Sequence, residues 1–191
     1  MQKVCVYNSA FPPCMHSFLD HSFSPSSPFW RCHGYNSPTT GFFSYQHQLS
    51  GSAGESTMAK IVHHAWTVGC QNLPALSKAR YGEWWAHNRY HSNGHRLHYD
   101  YVVNEENPTT PRHPVATCII YLTENCGGST FVTDQTVASE SAHSAYIVKP
   151  AVNRMACFDG RLLHSVVPAS GLPSGPSDRR VTIMIAFYTD D

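Results

Sequence analysis

The chain has 191 residues, thirteen Lys and Arg against thirteen Asp and Glu, and thirteen histidines. That length suits one domain with a real core, and the sparse, balanced charge excludes the clustered basic footprint of a nucleic-acid binder. No run approaches the roughly eighteen apolar residues of a membrane span, and residues 1–15 lack a signal peptide's apolar core, so the chain reads as soluble, unprocessed and without a membrane partner.

Seven cysteines, at 5, 14, 32, 70, 118, 126 and 157, form no CxxC pair and total an odd number, a poor pattern for a disulfide scaffold or a zinc knuckle. Cys118 lies in an apolar run and reads as a buried thiol acting as a small hydrophobe. A cytoplasmic or other reducing compartment is the expectation.

In chain order, residues 1–54 are rich in Pro, Ser, Gly and aromatics, as in Phe11-Pro12-Pro13, and read as an irregular arm packed on the domain or on a neighbouring chain. Residues 56–76 offer a helix: Ser56 or Thr57 can cap it, and Met58, Ile61, Val62, Ala65, Trp66 and Gly69 fall near helical spacing. Pro74 ends or restarts it. Residues 55–94 are thus expected to form helical support, with residues 95–191 as the core of a single domain.

From Tyr81 onward the texture changes to short apolar stretches between turn signals. Strands are predicted at 96–102, 115–122, 129–132, 145–149, 155–158, 163–167 and 180–188. Gly127-Gly128 and Asp159-Gly160 supply turns. With no helices alternating between strands, a parallel doubly wound sheet is unexpected, and an antiparallel barrel or jelly roll fits better.

Within 180–188, Arg180, Thr182, Met184 and Ala186 share one face, while Val181, Ile183, Ile185 and Phe187 form an apolar core face. The same alternation puts Tyr121 on the inner face of its strand. A buried-facing guanidinium with Thr182 and Tyr121 hydroxyls suits a carboxylate. His98 and Asp100, two apart, share one side of a strand, and His164 follows sixty-six residues after His98. Two imidazoles and one carboxylate make the facial triad of non-heme Fe(II) oxygenases.

Five blocks in order then resemble the Fe(II)- and 2-oxoglutarate-dependent oxygenase superfamily, most closely its prolyl-hydroxylase-like branch. They are Leu97-His98-Tyr99-Asp100-Tyr101, the strand from Thr117 to Thr123, Gly127-Gly128-Ser129-Thr130-Phe131, the stretch from Phe158 through His164 to Pro168, and Arg180-Val181-Thr182. The resemblance covers about residues 95–188. It implies a double-stranded β-helix (jelly roll, cupin-like), mainly β with N-terminal helical support. It also implies catalytic metal ligands His98, Asp100 and His164, with Fe(II) as cofactor and 2-oxoglutarate and O2 as cosubstrates. Arg180, Tyr121 and Thr182 would take the distal carboxylate of 2-oxoglutarate. Sixteen residues separate His164 from Arg180, more than the family usually shows, and the loop at 171–178 accounts for the surplus. Strand phase selects Arg180 over Arg179. Hydroxylation with succinate and CO2 as coproducts is the implied reaction, and the presence of Asp100 argues against halogenation.

The substrate is read from weaker signals. Trp84 and Trp85 either wall a pocket or pack the front helix, and Arg89 suits a substrate carboxylate. Glu105 or Glu106, in the loop after Asp100, could meet a substrate amine, and Asp134 could reach the same rim. Trp85, Arg89, Glu105 and Asp134 are therefore the candidate substrate residues, for a small molecule, an amino acid or a peptide. The rival reading is a non-catalytic metal-binding β-barrel used as a sensor or interaction module. Oligomeric state is left open.

Overall fold

Two antiparallel sheets carry the fold. The computed structural model describes residues 3–35, 43–50, 56–103, 111–124, 127–169 and 179–190. The larger sheet has the order β1 (Val4–Tyr7), β8 (Arg154–Phe158), β5 (Ala116–Tyr121), β10 (Arg179–Tyr188), β3 (Tyr81–Tyr90) and β2 (Tyr45–Gln48). The smaller runs β4 (His95–His98), β9 (His164–Val166), β6 (Thr130–Thr133) and β7 (Ala145–Val148). Side chains of both sheets meet in one apolar cluster, Ile119, Tyr121, Phe158 and Met184 from the larger against Val132 and Val148 from the smaller. This is the face-to-face packing of a jelly roll, a double-stranded β-helix.

The outer face of the larger sheet is the second core. Val181, Ile183, Ile185 and Phe187 of β10 lie with Ile120, Met155, Leu19, Phe23, Trp30 and Ile61 in one buried cluster. The last four come from the helices α1 (Pro13–Phe23), α2 (Pro28–Cys32) and α3 (Thr57–Cys70). Each such side chain contributes on the order of 1.5–3 kcal/mol by leaving water. Helix α3 starts where the Ser56 hydroxyl accepts the Ala59 amide at 3.1 Å, and its buried Met58, Ile61, Val62, Ala65 and Gly69 form one stripe. Gly82 lets that stripe close on β3, since a Cβ there would stand 2.6 Å from Val62 Cγ1.

Four features depart from the sequence expectation. The first fifty residues hold β1, α1, α2 and β2 where an irregular arm was expected; Pro13 and Pro28 open the two helices at positions that need no amide donor. Residues 81–90, expected within the helical support, form a long strand between β10 and β2. Strand β4 ends at His98, so Asp100 lies beyond it. Cys118 is not a lone thiol: strand register sets it opposite Cys157, and the two form a cross-strand disulfide. Sequence spacing does not reveal register, and the scattered cysteines no longer argue for a reducing compartment. Among the described residues no helix is long and apolar enough to cross a membrane.

Candidate metal and cosubstrate site

His98 at the end of β4 and His164 at the start of β9 are paired directly across the smaller sheet. Their rings lie 4.3 Å apart between centroids. Asp100 follows two residues after His98. Its position is fixed by the Thr117 hydroxyl, which donates to Oδ2 at 2.9 Å, and by the His113 ring against its carbonyl at 2.7 Å. One ligand atom from each of His98, Asp100 and His164 lies within 4.8 Å of the others, so the three can hold a metal ion.

The tautomers suit that use. Nδ1 of His98 meets the Arg96 carbonyl at 2.9 Å, and Nδ1 of His164 meets the Leu162 carbonyl at 2.9 Å. A carbonyl can only accept, so each Nδ1 carries hydrogen and each Nε2 faces Asp100, 3.6 Å from a carboxylate oxygen. His164 is only 2 % exposed, and its Nε2 has no hydrogen-bond partner. Burial holds the His164 pKa below the ordinary histidine value, and Asp100 only partly offsets it. A neutral ring with an orphaned, buried lone pair normally costs about 1–3 kcal/mol, which a divalent cation would recover.

Burial also presses His98 toward its neutral form, but Asp100 and the Arg96 carbonyl outweigh it and raise the pKa. For Asp100 burial pushes upward, while His98, His164 and the Thr117 hydroxyl hold the carboxyl below its usual range. The three residues thus keep a carboxylate and imidazole nitrogens ready, and protons compete with a metal for His98 as pH falls.

Arg180 opens the inner face of β10 and is 6 % exposed. Its Nη2 donates to the Thr130 hydroxyl at 3.1 Å and Nη1 to the Thr182 hydroxyl at 3.4 Å. The guanidinium sits 5.5 Å from the centre of the Tyr121 ring, whose hydroxyl donates to Thr130 at 2.7 Å. Arg180, Tyr121 and Thr182 are therefore brought together as the strand phase implies. Thr130 is an addition: it follows the Gly127-Gly128 turn, and a lone threonine on a short strand carries no periodic signal. Gly128, at φ 65°, passes so close that a Cβ would stand 2.9 Å from Arg180 Cδ.

One cavity of about 330 Å³ joins the His98, Asp100 and His164 cluster to Arg180 and Thr130. Trp85, His87 and Arg89 of β3 line it, as do His95, Tyr99 and Tyr101. Neighbours in a strand point oppositely, so the tryptophan pair divides. Trp84 stacks on Tyr45 in the helix-side core, while the Trp85 indole faces the cavity and donates to His87 Nε2 at 3.2 Å. His87 is held neutral, its pKa lowered to about 3 by burial and then by Arg89 and His95. Glu83 lines the far end and accepts the Ser44 hydroxyl.

Asp134 does not join this wall. Its carboxylate accepts the His143 and Ser144 amides at 2.8 and 3.1 Å and pairs with Lys3, closing a turn. Glu105 and Glu106 fall outside the described residues, as does the 171–178 loop.

The family model described as the 2OG-Fe(II) oxygenase superfamily matches residues 85–188, more than half of the chain. The chain belongs to that superfamily. A search of curated proteins finds no match to the oxygenase. Its fold is similar to that of a Pseudomonas putida prolyl-4-hydroxylase at 12 % identity, covering 100 % of this chain and 90 % of that one with a TM-score of 0.60. It is also similar to AviO1 from Streptomyces viridochromogenes Tue57, at 13 % identity, 98 % and 90 % coverage and a TM-score of 0.59. A third is the viral collagen prolyl hydroxylase of Paramecium Bursaria Chlorella virus-1, at 11 % identity, 100 % and 97 % coverage and a TM-score of 0.52. At such identities the likeness is one of fold. The oxygenase family depends on Fe(II) and 2-oxoglutarate, and the donor set here fits a divalent ion of that kind.

Proposed function

We propose that the protein is a dioxygenase that hydroxylates an aliphatic carbon of a small molecule, an amino acid or a peptidyl residue such as proline, with succinate and CO2 as coproducts. The observation that carries the reading is the orphaned Nε2 of buried His164, aimed with His98 and Asp100 into the cavity that Arg180 also lines. His98, Asp100 and His164 would hold Fe(II). When bound, iron and 2-oxoglutarate together supply O2 activation coupled to oxidative decarboxylation.

The chain's own residues do the rest. Arg180, with the Thr130, Tyr121 and Thr182 hydroxyls beside it, holds the distal carboxylate of 2-oxoglutarate by charge-assisted hydrogen bonds. Arg96 and Leu162 fix the imidazole tautomers through their carbonyls, and Thr117 orients Asp100. Trp85 and Arg89 face the substrate side. The apolar floor of Ile119, Phe158 and Met184 excludes water beneath the reacting centre.

The test is to incubate the Fe(II)-loaded protein with 2-oxoglutarate, O2 and a metabolite and peptide library, following succinate and a product one oxygen atom heavier. Substrate-stimulated succinate release that vanishes in His98→Ala is the expected result. Absence of stimulated turnover in fully reconstituted protein argues for the non-catalytic metal-binding reading.

A further inference from the structure

Arg89 lines the cavity from the inner face of β3, half-buried, and strand register sets it directly opposite Arg180. Two like charges across a strand pair are destabilising. Such a local conflict in an otherwise consistent fold marks a functional site more often than a structural one. Arg180 is embedded among threonine hydroxyls, whereas among the described residues no side chain or carbonyl accepts a hydrogen bond from the Arg89 guanidinium and no carboxylate pairs with it.

Among the described residues, the two acidic groups of the cavity wall are placed elsewhere. Asp100 stands with His98 and His164. Glu83 is six residues along the same strand from Arg89, about 20 Å at the rise of a β-strand. On the proposed function, a divalent ion, Asp100, dianionic 2-oxoglutarate and Arg180 sum to zero charge. Among the described residues, Arg89 is then a cation of the cavity wall beyond that balance.

We propose that Arg89 is a specificity-determining residue that binds a carboxylate of the primary substrate, so that the enzyme acts on a carboxylate-bearing molecule. A planar guanidinium fork matches a planar carboxylate in two parallel hydrogen bonds. Trp85, four residues earlier on the same face, offers an apolar ring farther along the cavity wall for the body of the substrate. The proposal rests on the oxygenase reading for its charge balance.

The test uses Zn(II)-loaded protein saturated with 2-oxoglutarate and reads saturation-transfer NMR on acetate, with acetamide as the neutral probe. Acetate is expected to bind on the order of millimolar, acetamide not detectably. Arg89→Met should weaken acetate at least about tenfold, a loss of about 1.4 kcal/mol, while 2-oxoglutarate affinity stays within about twofold; Arg89→Lys, which keeps charge without the fork, should fall between. Should Arg89→Met fail to fold, Arg89→Lys with the acetate-against-acetamide contrast decides. Acetate bound equally by Arg89→Met and wild type, acetate and acetamide bound alike, no acetate binding at all, or a tenfold loss of 2-oxoglutarate affinity in Arg89→Met would each overturn the assignment. Failure of the oxygenase reading itself shows separately, as wild-type protein that binds no 2-oxoglutarate in the presence of metal.

Discussion

Thr130 is the shared acceptor beneath the anion pocket, and Thr130→Val tests whether that pocket is built as described. The substitution keeps shape and removes the oxygen that takes the Tyr121 hydroxyl at 2.7 Å and Arg180 Nη2 at 3.1 Å. Tyr121 is wholly buried, so water cannot replace the lost partner. A buried donor left without an acceptor costs about 1–3 kcal/mol; Arg180 keeps its bond to Thr182, so Tyr121 carries most of the loss. A loss of about 2 kcal/mol lowers the melting temperature of a chain this size by roughly 4–8 °C. Calorimetry on metal-loaded protein without 2-oxoglutarate measures it, and Thr130→Ser, which restores the oxygen, should recover most of the deficit. Saturating 2-oxoglutarate should narrow the gap, because its carboxylate gives the released donors a new acceptor. A melting temperature for Thr130→Val within about 1 °C of wild type, below the roughly 0.5 kcal/mol scatter of ordinary surface changes, refutes the reasoning.

Gly128→Ala should weaken 2-oxoglutarate binding and lower stability by about 1–2 kcal/mol, because the left-handed backbone at φ 65° is strained for alanine and the new Cβ meets Arg180 Cδ; an unchanged dissociation constant by calorimetric titration counts against it. His87 gives the pH dependence. Its folded pKa, about 3, lies below the unfolded value of 6.5, so the unfolded chain takes up a proton first and stability falls as pH drops from 6.5 toward 3, with no contribution above. Denaturant titrations of His87→Gln across that window should show a slope shallower by up to about 1.4 kcal/mol per pH unit; identical slopes contradict the placement of His87.

The strands that positioned the site were legible where one face is apolar and the other chemical. Strand β10 alternates Val181, Ile183, Ile185 and Phe187 against Arg180 and Thr182, and that phase, with Thr182 completing a family-like Arg-x-Thr pattern, chose Arg180 over Arg179. Strand β3 was hidden because it is covered on both faces: Trp84 packs on the helices while Trp85 lines the cavity, and two large rings in succession show no period of two. The helices α1 and α2 were masked by Ser- and Pro-rich composition, although Leu19, Phe23 and Trp30 anchor them in the core. Asp134 looked like a rim acid because a carboxylate after a strand is equally suited to capping a turn, and here it caps one. The Cys118 and Cys157 pairing depends on register between β5 and β8, which no local pattern encodes.

The central claim is that His98, Asp100 and His164 form one metal site sharing a cavity with Arg180. Anaerobic addition of Fe(II) and then 2-oxoglutarate, followed by visible absorption, tests it most directly. The account predicts a metal-to-ligand charge-transfer band that saturates at one Fe(II) per chain, is lost in His164→Ala, and needs far more 2-oxoglutarate in Arg180→Met. No band in wild-type protein, or a band that survives intact in His164→Ala, contradicts it.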